Sequence, residues 1–249
     1  EQKDVELNLD YDFNFLCVAQ WGPRKNLPAT IKWFVEEFKD EEVGLVVKTN
    51  LASNTVMDRH ETQKRLKEFM APYKDAKCKV YLLHGDMARE EMTGLYNHPQ
   101  IKAIVSLTHG EGFGLPMFEA AYNGLPVITT EWSGQADFLF APVKSKNSKK
   151  PKVRPLFAKV DYDWDGVVQA ESSWCFPREN SAKSKMRDVY KNHTRYISQA
   201  KKLKAYLWSK FTPVEQYAKF ASAVLGKDMA IPEAIDGISF CIPTNGKRP

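Results

Sequence analysis

Two glutamates with seven residues between them, Glu111 and Glu119, frame a turn whose residue types suit an anion. Between them runs Gly112-Phe113-Gly114-Leu115-Pro116, and an apolar run, Ile101 to Leu107, leads in. A strand, a glycine turn and a helix opening near Leu115, with Pro116 in its first turn, would aim backbone N–H groups and a helix dipole at a phosphate. Carboxylates at such a turn would repel a bare phosphate. They would instead accept hydrogen bonds from hydroxyls attached to it, so the ligand they imply is a diphosphate with a sugar on either side. Glu119 would take a ribose diol and Glu111 the hydroxyls of a second sugar. The plainer alternative is a strand–helix corner with two solvated glutamates.

The elements that must hold this turn follow from the apolar pattern. Phe13 to Ala19, Val43 to Thr49, Cys78 to Leu83, Ile101 to Leu107 and Val127 to Thr129 read as buried parallel strands, with Leu156 to Val160 as a further candidate. Between them, Leu27 to Phe38, Asn54 to Met70, a segment ending near Asn97, and Pro116 to Asn123 read as helices, with Asn26 as an N-cap and Gly124 as a C-cap. This β-α alternation predicts a Rossmann-like, doubly wound parallel α/β sheet, followed by C-terminal helices over 181–209 and from Pro213. Ligands of such sheets bind outside the carboxyl ends of the strands. Arg24 and Lys25 after the first strand, Lys48 after the second, Met87 after the third and the 109–115 turn after the fourth all fall there.

The run from Glu111 to Glu119, closing on Glu-Ala-Ala, resembles the E-x7-E signature of family-4 retaining glycosyltransferases. With gaps, the similarity runs from about Phe13 to about Leu225. It implies a GT-B enzyme, of which this chain holds the C-terminal, donor-binding half. By that resemblance Arg24 and Lys25, next to Gly22, neutralise the donor diphosphate together with the amides of Gly112, Phe113, Gly114 and Leu115. The backbone at Asp86 and Met87 cups the nucleotide base. Glu111 contacts the transferred sugar, and the family is thought to react at one face without a covalent intermediate, although a nucleophilic Glu111 is the alternative. No divalent metal is expected, Asp161-Tyr162-Asp163 being read as coincidental. The co-substrate is a UDP- or GDP-linked hexose, and the acceptor is a hydroxyl of a glycan or a lipid-linked molecule.

Other residues carry two readings each. Trp132, in a Ser-Gly turn of the kind the family places near the donor sugar, is a sugar platform or rim packing. His84 is a strand-end histidine with a satisfied hydrogen bond or a ligand, and His109 adjoins the turn where an acceptor could reach it. The basic run 144–154 is a solvated loop or a contact for anionic lipid, a lipid-diphosphate acceptor or an acidic partner.

Composition sets the remaining limits. The chain has 249 residues, 43% apolar and 27% charged, as in an ordinary globule. Its net charge of +5 is local: Lys144, Lys146, Lys149, Lys150, Lys152 and Arg154 carry six positive charges, so the rest sums to −1. That argues against a nucleic-acid-binding face. Cys17, Cys78, Cys175 and Cys241 lack ligand spacing and read as buried thiols in a reducing, cytoplasmic setting. The expected organisation is a linker over 1–12, a nucleotide-sugar-binding domain over 13–228, and from 229 to 249 a linker running into an apolar strand. That strand resembles the start of a family-2 (GT-A) glycosyltransferase, or is an edge strand of the same domain. The segment alone, without an N-terminal acceptor domain, is expected to transfer nothing. The competing class is a catalytically incomplete nucleotide-sugar-binding or interaction module, and a dinucleotide oxidoreductase fails because Gln20 to Asn26 lacks G-x-G-x-x-G.

Overall fold

Strands that must be buried on both faces read as unbroken apolar runs, and here each such run pairs with another in parallel. The computed structural model describes residues 2–144, 150–167 and 171–225. In chain order these form β1 (Asn14–Val18), α1 (Leu27–Phe38), β2 (Gly44–Lys48), α2 (Val56–Met70), β3 (Lys79–Leu83), α3 (Arg89–Tyr96), β4 (Ile101–Val105), α4 (Leu115–Asn123) and β5 (Val127–Thr130). There follow β6 (Phe140–Val143), β7 (Lys152–Pro155), β8 (Ala158–Val160), β9 (Tyr162–Gly166), β10 (Ser173–Pro177), α5 (Glu179–Lys191), α6 (His193–Lys210) and α7 (Pro213–Leu225). Residues up to Leu207 make one compact unit and those from Trp208 a second, whose described part is the end of α6 and α7.

The main sheet runs β3-β2-β1-β4-β5-β8, with every pairing parallel. The chain winds outward from β1 to β3, then returns to lay β4 on the other side of β1. That reversal opens a crevice between the loops after β1 and β4. The candidate strand at 156–160 becomes β8, the sixth of the sheet, beside β5.

Phe15 of β1 packs on Phe34 and Phe38 of α1, with centroids 5.9 and 5.5 Å apart, and all three rings are fully buried. Each such ring contributes about 1.5–3 kcal/mol of transfer free energy. Ala182, Met186 and Val189 of α5 close the same core. Outside it, Lys183 pairs with Glu36 at 2.6 Å, and Arg187 with Glu37 at 2.6 Å and Glu41 at 2.8 Å, while the guanidinium lies over Phe38. These partly buried pairs fix α5 on α1.

The structure departs from the sequence reading in four places. The helical region expected over 181–209 is two helices broken at Asn192, whose side chain turns back to Asp188 at 2.7 Å while His193 bonds the carbonyl of Lys102. Asn26 does not cap α1 with its side chain; it adopts a left-handed conformation and spends its amide elsewhere. Residues 2–12 form no helix or strand, yet they are tied down. Asp10 meets Lys79 at 3.0 Å and accepts from Tyr81, and Tyr11 donates to the carbonyl of Lys77. Finally, Lys152 and Arg154 of the basic run lie in β7, antiparallel to β6. The rest of that run at 145–149 and the expected strand near the C-terminus lie outside the described residues.

Candidate functional site

The loops after β1 and β4, neighbours at the point where strand order reverses, are laced together by their own backbone. Asn26 donates its side-chain amide to the carbonyl of Leu107 at 3.0 Å, which its left-handed φ of 52° makes possible. Thr108 Oγ1 and the N–H of His109 both donate to the carbonyl of Arg24, at 3.0 and 2.9 Å. Arg24 and Lys25, in a single helical turn over Pro23–Lys25, are thereby carried to Glu111. Lys25 Nζ donates to Glu111 Oε1 at 2.6 Å, and Arg24 Nη1 to Oε2 at 3.1 Å and to the carbonyl of Gly110. The Glu111 side chain is only 9% exposed and Lys25 20%, whereas Arg24 is 48% exposed. Two cations against one carboxylate leave the spot net positive, with Arg24 the more exposed of the two. Gly22 opens the turn with no neighbour where a side chain would stand.

The glycine turn is braced from behind. Ser133 Oγ accepts from the N–H of Glu111 at 3.0 Å and donates to its carbonyl, which also takes the N–H of Gly134 at 3.1 Å. A Cβ on Gly134 would stand 2.2 Å from the Gly112 carbonyl oxygen, so only glycine allows this approach. Gly114 takes a φ of 85° and starts α4 against Met117 and Gln135. Phe113, 40% exposed, leans on Phe118 and Phe138. Among the described residues, the N–H groups of Gly112, Phe113, Gly114 and Leu115 meet no protein acceptor. Four amides and a helix N-terminus thus stand open beside the two cations, an arrangement that can hold an anion.

Glu119, on α4, is held separately. Tyr96 of α3 donates its hydroxyl to Glu119 Oε2 at 3.0 Å, and burial together with that carboxylate pushes the phenol far above its usual range. The other carboxylate oxygen has no partner among the described residues, and no ion pair links Glu119 to Arg24 or Lys25.

The loop after β3 is locked to the loop after β2. Lys48 Nζ donates to the carbonyl of Gly85 at 2.9 Å, burial drawing its ammonium below the usual lysine range, and Asn54 bonds Asp86. His84 Nε2 lies 2.8 Å from Asp58 Oδ1, which is the strand-end histidine with a satisfied bond. Asp58 also takes the N–H groups of Leu51, Ala52 and Ser53 and the hydroxyl of Thr62. Burial opposes its charge, but the bonds from His84 and the three amides win and hold the carboxyl well below the usual range. Met87 follows this locked pair of loops, half-buried. Sequence reasoning missed Asp58, although Thr55-x-x-Asp58 has the spacing of a helix-capping pair and Thr55 does accept from the Asp58 N–H.

Four other expectations are resolved by contacts. His109 faces inward, buried between Trp174 and Phe176 with Nδ1 2.7 Å from the carbonyl of Cys175, so its ring is turned from any acceptor. Trp132 packs edge-to-face on Trp164 beside the turn and stays 36% exposed, an arrangement compatible with either of its two readings. Asp163 is spent on Arg178, and Asp161 takes the hydroxyl of Ser181. Cys17, Cys78 and Cys175 are buried free thiols, pushed up by burial to about 12, 11 and 11; Cys241 lies outside the described residues.

A six-stranded parallel sheet wrapped by helices, with an open glycine turn at its switch point, is a Rossmann-like α/β domain of the kind that makes up one half of a GT-B glycosyltransferase. Residues 59–220, well over half the chain, match the profile of family 4 glycosyltransferases in conflict systems, and the chain belongs to that family. No curated protein matches it. Among solved structures it resembles the C-terminal domain of a group 1 glycosyl transferase, LpcC, from Francisella tularensis, at 14% identity and a TM-score of 0.53, over 82% of this chain and 89% of that one. It also resembles Anabaena HepE in complex with UDP and glucose (13%, TM-score 0.58, 86% of this chain and 48% of that one). A third is sucrose-phosphate synthase of Thermosynechococcus elongatus (14%, TM-score 0.59, 88% and 47%). At these identities the likeness is one of fold. The chain spans nearly all of the isolated Francisella domain but less than half of the other two.

Proposed function

We propose that this domain binds a nucleotide-diphosphate sugar for retaining, metal-independent transfer of a hexose to a hydroxyl acceptor, a glycan or a lipid-linked molecule. The observation that supports it most is Arg24 and Lys25 gathered on Glu111 beside the open amides of Gly112 to Leu115. The β-phosphate of the donor would lie on those amides, with Lys25 fixed beneath it and Arg24 swinging out to it. As the C–O bond to the phosphate breaks, the leaving diphosphate keeps the electron pair, and the cations and amides stabilise that charge more than they stabilise the bound donor. The acceptor oxygen forms the new bond, and its proton ends on the departing diphosphate. Glu111 then turns its freed oxygen to the sugar, and Glu119, held by Tyr96, takes the ribose diol. That HepE binds UDP and glucose on the same fold favours a uridine donor.

Because the related enzymes are about twice this length, the acceptor cleft is completed by another domain, and this chain alone transfers nothing. No helix among the described residues is long and apolar enough to cross a membrane. The reading places the domain in the cytoplasm, which suits its buried free thiols, with any membrane contact peripheral.

The experiment is a thermal-shift screen of UDP-, GDP- and ADP-sugars, since a ligand that binds only the folded state raises Tm. One nucleotide series should stabilise the chain; no shift with any of them would leave the reading of an interaction module.

A further inference from the structure

Ser133 holds a backbone conformation that side chains avoid. Its φ of 72° and ψ of −163° fall in a region populated almost wholly by glycine. A glycine stands next to it, at 134, where the close approach to the Gly112 carbonyl demands one. The chain thus keeps a side chain at the position whose dihedrals resist it, and that side chain is small and carries a hydroxyl. The hydroxyl is engaged twice by one residue. Ser133 Oγ accepts from the N–H of Glu111 at 3.0 Å and donates to the carbonyl of Glu111.

Those two bonds reach further than Glu111 itself. The N–H of Glu111 shares a peptide with the carbonyl of Gly110, and the carbonyl of Glu111 shares one with the N–H of Gly112. Both peptides are trans, and a planar trans peptide points its carbonyl and its N–H in opposite directions. Fixing the Glu111 N–H on Ser133 therefore sends the Gly110 carbonyl the other way, where Arg24 Nη1 and, at 3.1 Å, Thr108 Oγ1 donate to it. Fixing the Glu111 carbonyl on Ser133, with the Gly134 N–H at 3.1 Å, turns the Gly112 N–H away from this loop. There it meets no acceptor among the described residues, and a Cβ on Gly112 would stand in open space. One hydroxyl thus orients both an anchor for Arg24 and the first of the open amides. Donation to the carbonyl also polarises the peptide and makes the N–H at its other end a stronger donor.

We infer that Ser133 is a positioning residue for the donor diphosphate. It acts through Glu111 and Gly112, aiming the Gly112 amide and the Arg24 anchor at the phosphates, and its strained backbone is kept for the sake of that hydroxyl. The inference rests on the donor reading above. Three variants of the 249-residue chain test it, by calorimetric titration of UDP, GDP and ADP, each beside its nucleoside, and by thermal unfolding. Ser133→Ala and Ser133→Gly both lose the hydroxyl, and each should weaken the diphosphate about tenfold while leaving nucleoside affinity unchanged. Only Ser133→Gly also relieves the backbone, so its Tm should exceed that of Ser133→Ala, although glycine otherwise lowers stability through the unfolded chain. Ser133→Thr keeps the hydroxyl and adds a β-branch at a φ such residues rarely adopt. Its Tm should fall while diphosphate affinity holds. Affinity that follows Tm across the three variants, or a diphosphate advantage untouched in both Ser133→Ala and Ser133→Gly, would overturn the assignment and leave the donor reading standing. So would a Ser133→Ala protein at least as stable as Ser133→Gly. A parent with no diphosphate advantage would instead remove the donor reading, and the assignment with it.

Discussion

Two carboxylates, Asp58 and Glu111, each stand behind a loop at the carboxyl edge of the sheet, and they are used differently. Asp58 is consumed: its two oxygens take three backbone amides, a threonine hydroxyl and His84. Glu111 is met only by two cations, one of them half exposed, and amides without acceptors lie alongside. A carboxylate whose bonds are all to its own fold holds loops in place. One met by two cations, one of them half exposed, can exchange such a partner for a ligand, because a phosphate satisfies the same donors. The edge formed by β2 and β3 is therefore a bonded wall, and the edge formed by β1 and β4 is the candidate ligand face.

Substitutions should separate the two. The largest effect on stability falls on the wall: Asp58→Ala takes the acceptor from the buried Thr62 hydroxyl, from His84 and from three loop amides and should lower Tm by many degrees, read by calorimetry. Glu111→Gln should leave Tm within a few degrees. Equal losses would erase the distinction. The largest effect on binding falls on the other face, where Lys25→Ala removes a charge-assisted contact of about 1.5–3 kcal/mol, so nucleoside-diphosphate affinity should drop about 10–100-fold with little change in Tm. The pH dependence sharpens the contrast. Since the folded state holds the Asp58 carboxyl below its unfolded value, its contribution is present above about pH 4 and is lost as pH falls through the lowered folded value. Acid unfolding of Asp58→Asn should accordingly be less steep below pH 4 than that of the parent. The smallest effect belongs to Tyr96→Phe, which frees Glu119 from one hydrogen bond of about 1 kcal/mol. It should change affinity for a ribonucleotide by severalfold and for its 2′-deoxy analogue by less.

The candidate ligand face was legible in the sequence as an arrangement because its signals are local: apolar runs for five strands, a glycine turn, a proline opening α4, and cations directly after β1. The wall was not, because Asp58 becomes meaningful only when β2 and β3 pair and bring His84 over it. The hairpin of β9 and β10 was hidden for another reason. Tyr162-Asp163-Trp164-Asp165 does alternate with period two, but aromatic with acid on an exposed ribbon (Trp164 is half open), where the apolar pattern that marks a buried strand is missing. The break at Asn192 was invisible because apolar spacing continues across it, and only the bond from His193 to β4 shows why the chain turns there.

Calorimetric titration of UDP, GDP and ADP, each beside its own nucleoside, on the parent and on Lys25→Ala probes whether cations and amides at the β1–β4 edge grip a pyrophosphate. At least one diphosphate should bind tenfold or more tighter than its nucleoside, and that advantage should collapse in Lys25→Ala. Nucleoside and diphosphate binding alike, or an advantage that survives the loss of Lys25, would show that the pyrophosphate is not held there.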